Sequence, residues 1–173
     1  MQPPVVPAVV PSALKDAHLP TVQARVLDAS EQPSWILVFD EGDEVISELG
    51  AFARAHSLRA SHFQAIGAFS EATLGYFDWA SRKYERIELA EQVEVVSLLG
   101  DIAAGERGPM VHAHCVLGRR DGSALAGHLL AGRVRPTLEL ILTTTPAALA
   151  RTYDERSGLA LIDARSGGRR SRG

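Results

Sequence analysis

A histidine-bearing β-hairpin is the sequence feature that most constrains how this chain folds. Residues 111–118 form an apolar, β-prone run that contains His112 and His114, and this run is followed by an Asp121-Gly122 pair and then by His128. Side chains at positions i and i+2 of a strand leave on the same face, so the run places His112 and His114 side by side. An Asp-Gly pair between two such runs is typical of a hairpin turn. The pattern therefore predicts two antiparallel strands, with His128 on the second.

The loop length of this hairpin decides which residue lies opposite His128. A two-residue turn at Asp121-Gly122 pairs His128 with Cys115 and places it on the opposite face from the other two histidines. A three-residue loop over residues 120–122, with Gly122 left-handed in a G1 bulge, places His128 opposite His114 instead. We favour the three-residue loop because it gathers three imidazoles on one face, with the facing Cβ atoms about 4.5–5.5 Å apart.

Three histidines on one face of a sheet suit a metal ion. Zinc binds imidazole nitrogens at about 2.0–2.1 Å, and three protein ligands with a fourth position for water or substrate are typical of reactive rather than structural zinc centres. We therefore predict that His112, His114 and His128 bind zinc, or another divalent metal, and that a small molecule can join it there. The alternative is that one or two of them are ordinary hydrogen-bonded residues. Cys115 points away in the favoured register, which predicts a small buried apolar residue.

The composition indicates a globular chain with an acidic body. With 173 residues, of which 46% are hydrophobic and 23% charged, the chain is long enough for one domain with a core, and no apolar run is long enough to cross a membrane. A single cysteine excludes an internal disulfide and fits a reducing compartment, so we expect a cytoplasmic protein. Four of the 18 basic residues lie in residues 164–173, so residues 1–163 hold 14 basic and 21 acidic residues. A body of that charge does not fit a protein that wraps nucleic acid.

Two terminal segments differ in composition from the rest of the chain. Residues 1–20 contain five of the nine prolines, which disfavour helix and sheet and predict an extended arm. Residues 164–173 contain no acid, and they predict a flexible basic tail that makes at most weak contact with DNA. The basic residues of this tail are Arg165, Arg169, Arg170 and Arg172. Between the two segments, residues 21–163 are expected to form one domain.

The remaining pattern predicts one helix and at least eight short strands. Apolar residues recur at helical spacing within residues 42–56. Runs typical of strands cover residues 21–27, 35–39, 61–68, 72–78, 83–89, 93–100, 111–119, 123–131, 137–145 and 159–163. One principal helix among strands in this order indicates an α+β domain with a mainly antiparallel mixed sheet.

Few other residues qualify for chemistry beside the histidines. Glu139 interrupts the apolar run 138–142, so it is either an outward-facing strand residue or a carboxylate directed at the metal as a ligand or a general base. Glu71 and His62 flank a bend expected at Gly67 and are candidates for the same pocket, with surface positions as the alternative. The chain contains neither a glycine-rich phosphate loop nor a G-x-S-x-G nucleophile elbow.

Several sequence blocks, taken in order, resemble the PPC (plant and prokaryote conserved) domain. The blocks are residues 67–78, residues 94–100, the His112/His114 strand with its Asp121-Gly122 pair, and Gly127-His128-Leu129, and the resemblance extends over about residues 33–145. It implies a stand-alone prokaryotic member with a mixed α+β fold that assembles as a homotrimer. It also implies that the three histidines bind a metal, with zinc as the expected ion. This fold is also similar to that of acetolactate decarboxylase, which likewise holds zinc with three histidines.

The resemblance raises the question of DNA binding as well as metal binding. In plants the domain is joined to AT-hook segments, but no Arg-Gly-Arg-Pro core occurs here, and the basic residues 168–173 lack the proline. Ala126-Gly127 also replaces the glycine pair before the third histidine. We therefore predict a metal-holding binding or regulatory module, with any DNA contact made by the tail. The alternative is a zinc enzyme of lyase or hydrolase type on a small oxygenated substrate, in which Glu139 or Glu71 moves protons. It comes second because spacing alone defines no acid–base pair beside the metal.

Overall fold

One helix and nine strands make up the described part of the chain, which is residues 22–28 and 33–164 of a computed structural model. In chain order they are β1 (Gln23–Asp28), β2 (Ser34–Phe39), α1 (Val45–Ala55), β3 (Ala60–Asp78), β4 (Lys83–Leu89), β5 (Val93–Gly105), β6 (Gly108–Gly118), β7 (Ala124–Thr144), β8 (Ala150–Asp154) and β9 (Leu159–Asp163). The proline-rich segment 1–20 and the four tail arginines lie outside the described residues, so the arm and the tail stay predictions. Within the described ranges, no helix is long and apolar enough to span a membrane.

All nine strands belong to one sheet, in which every pairing but one is antiparallel. The path runs β1-β2-β7-β3-β5-β8-β9, with β4 added to β3, and the parallel pair is β5 with β8. Strand β6 pairs with β5 on one side and with β7 on the other, so β7, β3, β5 and β6 close into a ring. The predicted α+β class is confirmed: one domain, a mainly antiparallel mixed sheet and one principal helix.

The core lies on one face of this sheet because apolar residues alternate along the central strands. Leu138, Leu140 and Leu142 of β7 are fully buried, whereas Glu139 and Ile141 between them are exposed. Each fully buried Leu or Phe side chain contributes about 1.5–3 kcal/mol relative to an exposed one. The apolar stripe of α1 joins the same cluster through Val45, Leu49 and Phe52.

Glu44 fixes where the helix begins. Its carboxylate accepts hydrogen bonds from the backbone N–H groups of Ile46 at 3.3 Å and Ser47 at 2.8 Å, which leaves Glu44 as the N-cap. The helix therefore starts three residues after the predicted boundary at residue 42. The same carboxylate accepts from the N–H of Gly132 at 3.1 Å, so the cap also ties the helix to β7.

Two of the strands each join two segments that the sequence pattern predicts as separate strands. Residues 61–68 and 72–78 read as separate strands, but β3 runs unbroken from Ala60 to Asp78. Gly67, with φ +154°, bends the strand without ending it, and the register against β5 and β7 shifts there. Strand β7 likewise joins the two predicted strands 123–131 and 137–145. The pattern misses β8, whose sequence Ala-Arg-Thr-Tyr-Asp shows little apolar alternation.

Candidate metal centre

The hairpin closes through a three-residue loop, as the sequence predicts. Gly122 has φ +81°, and its N–H donates to the carbonyl oxygen of Arg119 at 3.0 Å. The N–H of Arg119 donates in turn to the carbonyl oxygen of Ser123 at 2.8 Å, so these two residues close the hairpin. The resulting register places His128 of β7 opposite His114 of β6, which confirms the predicted pairing.

His112, His114 and His128 meet on the face of the sheet opposite the core. Each of the three ring centroids lies 5.2 Å from the other two. One nitrogen from each ring can be chosen so that all three lie within 4.8 Å of one another, a group that can hold a metal ion. Cys115 lies on the other face, where it is buried, and burial raises the pKa of its thiol to about 12. Its predicted role as a small buried apolar residue is confirmed.

Burial and mutual proximity keep two of these imidazoles neutral at neutral pH. Burial, followed by the charges of His112, His114 and Arg151, lowers the pKa of His128 to about 4. Burial and the charge of His112 also lower the pKa of His114. A neutral imidazole keeps a lone pair on one ring nitrogen, and this is the form that binds metals.

His112 has a hydrogen-bonding partner that sequence reasoning missed. Its Nδ1 lies 3.3 Å from Oδ2 of Asp101, the residue directly opposite it in β5. Oδ1 of the same carboxylate accepts a hydrogen bond from Nη2 of Arg151 at 2.6 Å. Burial on its own raises the pKa of Asp101, but the hydrogen bonds from His112 and Arg151 and their charges lower it overall. The sequence shows only that Asp101 follows the predicted strand 93–100 directly. It does not show how this strand pairs with the strand that carries His112.

Aromatic side chains of β3 and β4 flank His128. The ring centroid of Tyr84 lies 4.7 Å from that of His128, and Phe77 packs edge-on against Tyr84 at 5.3 Å. Tyr84 can approach because the residue opposite His128 in β3 is Gly75, where a Cβ would lie 2.7 Å from the Tyr84 ring. Burial raises the pKa of Tyr84, so its hydroxyl stays protonated at neutral pH. The histidine cluster thus has an aromatic wall on its His128 side.

The two candidate catalytic carboxylates do not join the converging imidazoles. Glu139 is exposed in the second half of β7, opposite Ile66 of β3. Glu71 is exposed and forms an ion pair with Arg133 at 3.2 Å. Among the residues that the structure describes, neither carboxylate belongs to the group whose ligand atoms converge, and neither does His62, which is exposed in β3.

The fold and the histidine cluster together define a single-domain protein with a closed ring of strands and a candidate three-histidine metal centre. Residues 28–146 match the Plants and Prokaryotes Conserved (PCC) domain. The chain therefore belongs to this family, which is the PPC family that its sequence blocks resemble.

Several solved structures are similar to most of this chain, among them the following three. The PPC protein of Pyrococcus horikoshii is 25% identical, with a TM-score of 0.72 over 82% of this chain and 94% of that one. A candidate DNA-binding protein of Bacteroides thetaiotaomicron is 27% identical, with a TM-score of 0.75 over 82% and 98%. The metal-containing protein of Archaeoglobus fulgidus is 29% identical, with a TM-score of 0.71 over 82% and 97%.

Two further comparisons carry no functional information. A Staphylococcus aureus protein described as similar to α-acetolactate decarboxylase has a TM-score of 0.47 and 12% identity, which is too distant to support an inference. No match was found among curated protein sequences.

Proposed function

We propose that this chain is a cytoplasmic, metal-binding PPC protein in which His112, His114 and His128 hold one zinc ion. The observation that carries the proposal is the equal separation of the three imidazole centroids, 5.2 Å for every pair. With nitrogen–zinc bonds of about 2.0–2.1 Å and tetrahedral angles, neighbouring imidazole centroids are expected roughly 5.2 Å apart. This agreement supports one ion held by all three rings, and another divalent metal that accepts imidazole is the alternative.

Two further observations support a bound metal. Nδ1 of His128 is buried and has no hydrogen-bond partner within the described part of the chain. An unsatisfied buried nitrogen costs about 1–3 kcal/mol, and a metal bound by Nδ1 itself would offset that cost. The relative from Archaeoglobus fulgidus is described as metal-containing. When bound, zinc supplies a Lewis-acidic position that water or a small oxygenated ligand can occupy.

Metal analysis of the purified protein tests this proposal. After loading with zinc and desalting, the wild-type chain is expected to retain about one zinc ion, whereas His112→Ala and His128→Ala should each lose it. His62→Ala is the matched control, because His62 is an exposed histidine of the same sheet outside the cluster. A wild-type chain without stoichiometric metal, or equal retention by the three variants, contradicts the proposal.

The proposal extends to a homotrimer, which the family resemblance implies. An apolar groove of about 360 Å³ is lined by Ile66, Leu99 and Ile141, and Leu99 pairs directly with His114 in the sheet. These side chains are exposed to 62%, 56% and 43%, and contiguous exposed apolar surface is typical of interfaces. The groove therefore lies on the histidine-bearing face and offers a surface for a second copy of the chain.

Light scattering after size exclusion tests the assembly. The wild-type mass should correspond to three chains, and Ile66→Glu should lower it because a carboxylate is costly to bury in an apolar contact. Leu161→Glu, which changes an exposed leucine of β9 outside the groove, should leave the mass unchanged. A wild-type monomer contradicts the proposed trimer.

Weak DNA contact through the tail is the third part of the proposal. It is supported by the arginine cluster at positions 165, 169, 170 and 172 and by the relative from Bacteroides thetaiotaomicron described as a candidate DNA-binding protein. Because residues 1–163 hold 14 basic and 21 acidic residues, we expect binding that depends on the tail and weakens with salt. A gel shift at low salt, with the full chain and a chain ending at residue 164, measures this. Equal binding by the two chains contradicts a role for the tail.

A zinc-dependent lyase or hydrolase is the alternative function. It is favoured by a metal position that protein ligands leave accessible, since the side chain of His112 is 39% exposed. A general base must come within hydrogen-bond reach of the substrate. Glu139 and Glu71 do not belong to the cluster, and Asp101 is already engaged by His112 and Arg151. We therefore place the binding or regulatory role first.

A further inference from the structure

We infer that the C-terminal β8–β9 hairpin is a working part of the metal centre: Arg151 holds Asp101, and Asp101 orients His112 with its Nε2 free to bind the metal. The inference rests on the proposed metal site and assigns a positioning role to two residues outside the histidine cluster. It concerns a segment that begins at Ala150, beyond residues 28–146 that match the family domain.

The contact between Asp101 and His112 fixes which nitrogen carries the proton. A carboxylate oxygen can only accept a hydrogen bond, so Nδ1 of His112, 3.3 Å from Oδ2, must be the donor. The neutral ring then keeps its lone pair on Nε2. Histidine ligands in metal sites commonly donate their other ring N–H to a carboxylate, which fixes both the tautomer and the ring orientation.

The contact between Arg151 and Asp101 holds the carboxylate in place. Nη2 of Arg151 donates to Oδ1 at 2.6 Å, so each oxygen of Asp101 has its own partner. The Arg151 side chain is only 7% exposed, and its Nη1 donates to the carbonyl oxygen of Ala160 in β9 at 3.1 Å. A guanidinium that is buried and bonded in this way has little freedom to turn.

The hairpin itself is attached to the strand that carries Asp101. Ala150 pairs with Ala104 in a parallel bridge, and the N–H of Ala104 donates to the carbonyl oxygen of Leu149 at 2.8 Å. The backbone contacts at Ala104, three residues after Asp101 in β5, therefore place Arg151 beside Asp101. The observations form a continuous path from β9 through Arg151 and Asp101 to His112.

The tautomer of His112 can be measured in the metal-free wild-type protein. Long-range ¹H–¹⁵N correlation spectra at pH 8, well above the ordinary histidine pKa, distinguish a protonated Nδ1 from a protonated Nε2. We expect His112 as the Nδ1–H tautomer. The Nε2–H tautomer in the wild type overturns the inference. This NMR measurement needs neither a variant nor bound metal, so its result does not depend on whether the proposed zinc site exists.

Zinc affinity of variants tests the positioning role. Competition with a chromophoric chelator should show zinc binding 10–100-fold weaker in Asp101→Asn, the range typical when such a partner is changed. Arg151→Met should weaken binding in the same direction, and Arg151→Lys, which retains a charge, should restore part of it. Glu41→Gln is the matched control, because it removes the carboxylate of another arginine-paired acid, 2.7 Å from Arg135, and should leave zinc affinity unchanged.

The outcomes separate the inference from the proposed function. If the wild type binds zinc and both Asp101→Asn and Arg151→Met bind it within twofold of wild type, the positioning role is refuted while the metal site stands. If the wild type binds no zinc, the proposed function fails, and the tautomer of His112 still decides whether Asp101 orients the ring. Weaker zinc binding together with loss of the Nδ1–H tautomer in Asp101→Asn supports the inference.

Discussion

Gly100 of β5 is the position where one added methyl group should disturb the core and the histidine strand together. A Cβ at this residue would lie 2.7 Å from Cε2 of Phe63, and closer still to Cζ of that ring and to the carbonyl oxygen of His112. Phe63 is 2% exposed, so its ring has no free space to move into. The carbonyl oxygen belongs to the backbone of β6 and cannot move by a side-chain rotation. We therefore expect Gly100→Ala to displace both neighbours.

The size of the effect follows from these contacts. Overpacking of a well-filled core costs about 1–3 kcal/mol, and displacement of a backbone group places Gly100→Ala at the upper end, about 3 kcal/mol. In a domain of this size each kcal/mol lowers the melting temperature by about 2–4 °C, so the melting temperature should fall by about 6–12 °C. Urea unfolding followed by circular dichroism gives the free energy, and an unchanged m-value shows that stability alone has changed.

Gly50 provides a matched control for the same substitution. It lies inside α1, and the nearest atoms to an added Cβ belong to the flexible end of Arg54, with Nη1 at 3.3 Å. Gly50→Ala should stabilise the protein by about 0.5–1 kcal/mol, because glycine is unfavourable inside a helix. In the Gly100→Ala background, Phe63→Leu should cost less than it does in the wild type, since the two changes share a contact. A Gly100→Ala protein within 0.5 kcal/mol of the wild type would refute the reasoning.

Three further predictions concern the hairpin and its two faces. The pKa of His128 is about 4 in the folded chain and about 6.5 in the unfolded chain. Between these pH values the unfolded state binds more protons than the folded state. The stability present above pH 6.5 is therefore lost as the pH falls toward 4. Because the ring is partly exposed, we expect a loss of about 2 kcal/mol in the metal-free protein, measured by urea unfolding at several pH values, and a flatter profile in His128→Gln. Gly122→Ala should cost about 1–2 kcal/mol in the same assay, since φ is +81° and an added Cβ meets no atom within 4 Å, which leaves backbone strain as the cause. Cys115, with a pKa of about 12, should react with a thiol reagent at pH 8 only after unfolding; rapid labelling of the native protein would contradict its burial.

The histidine hairpin could be predicted from the sequence because its determinants are local. The spacing of His112 and His114, and a glycine that tolerates a left-handed conformation at the end of a three-residue loop, fix which side chains face one another. The structure has this register and this φ at Gly122. Strand alternation and turn chemistry, which act over a few residues, left two possible registers, and the choice between them rested on the convergence of three imidazoles on one face.

The support of His112 could not be predicted because it depends on strands that are distant in the chain. Asp101 reaches His112 only through the β5–β6 pairing, and Arg151 reaches Asp101 only through the short parallel contact between β5 and β8. Neither residue carries a motif, and β8 shows no clear strand pattern. An ionic contact of this kind is set by tertiary register, which a single sequence does not encode locally.

Glu139 shows how irregular strands defeat an argument from alternation. A regular strand would place residues 128 and 139 on opposite faces, because their numbers differ by an odd count. In β7, Leu129 next to His128 and Leu138 next to Glu139 are both buried. Because adjacent strand residues face opposite ways, His128 and Glu139 both lie on the face opposite the core. The register of β7 against β3 shifts at three points between these residues, and such shifts change the phase of the alternation. The face of Glu139 therefore follows from bulges that the sequence does not reveal.

The position of the histidines is a consequence of the core on the other side of the same strands. In the row of paired residues that includes Cys115, the partners Leu98, Ala65 and Leu140 are all buried. The neighbouring row runs from His114 through Leu99 to Gln64, on the opposite face. A slip of one residue would bury the second row and expose the first, at a cost of about 1.5–3 kcal/mol for each leucine exposed. The hydrophobic residues therefore hold the three imidazoles in register, and a metal that binds there gains a site that the fold has already assembled.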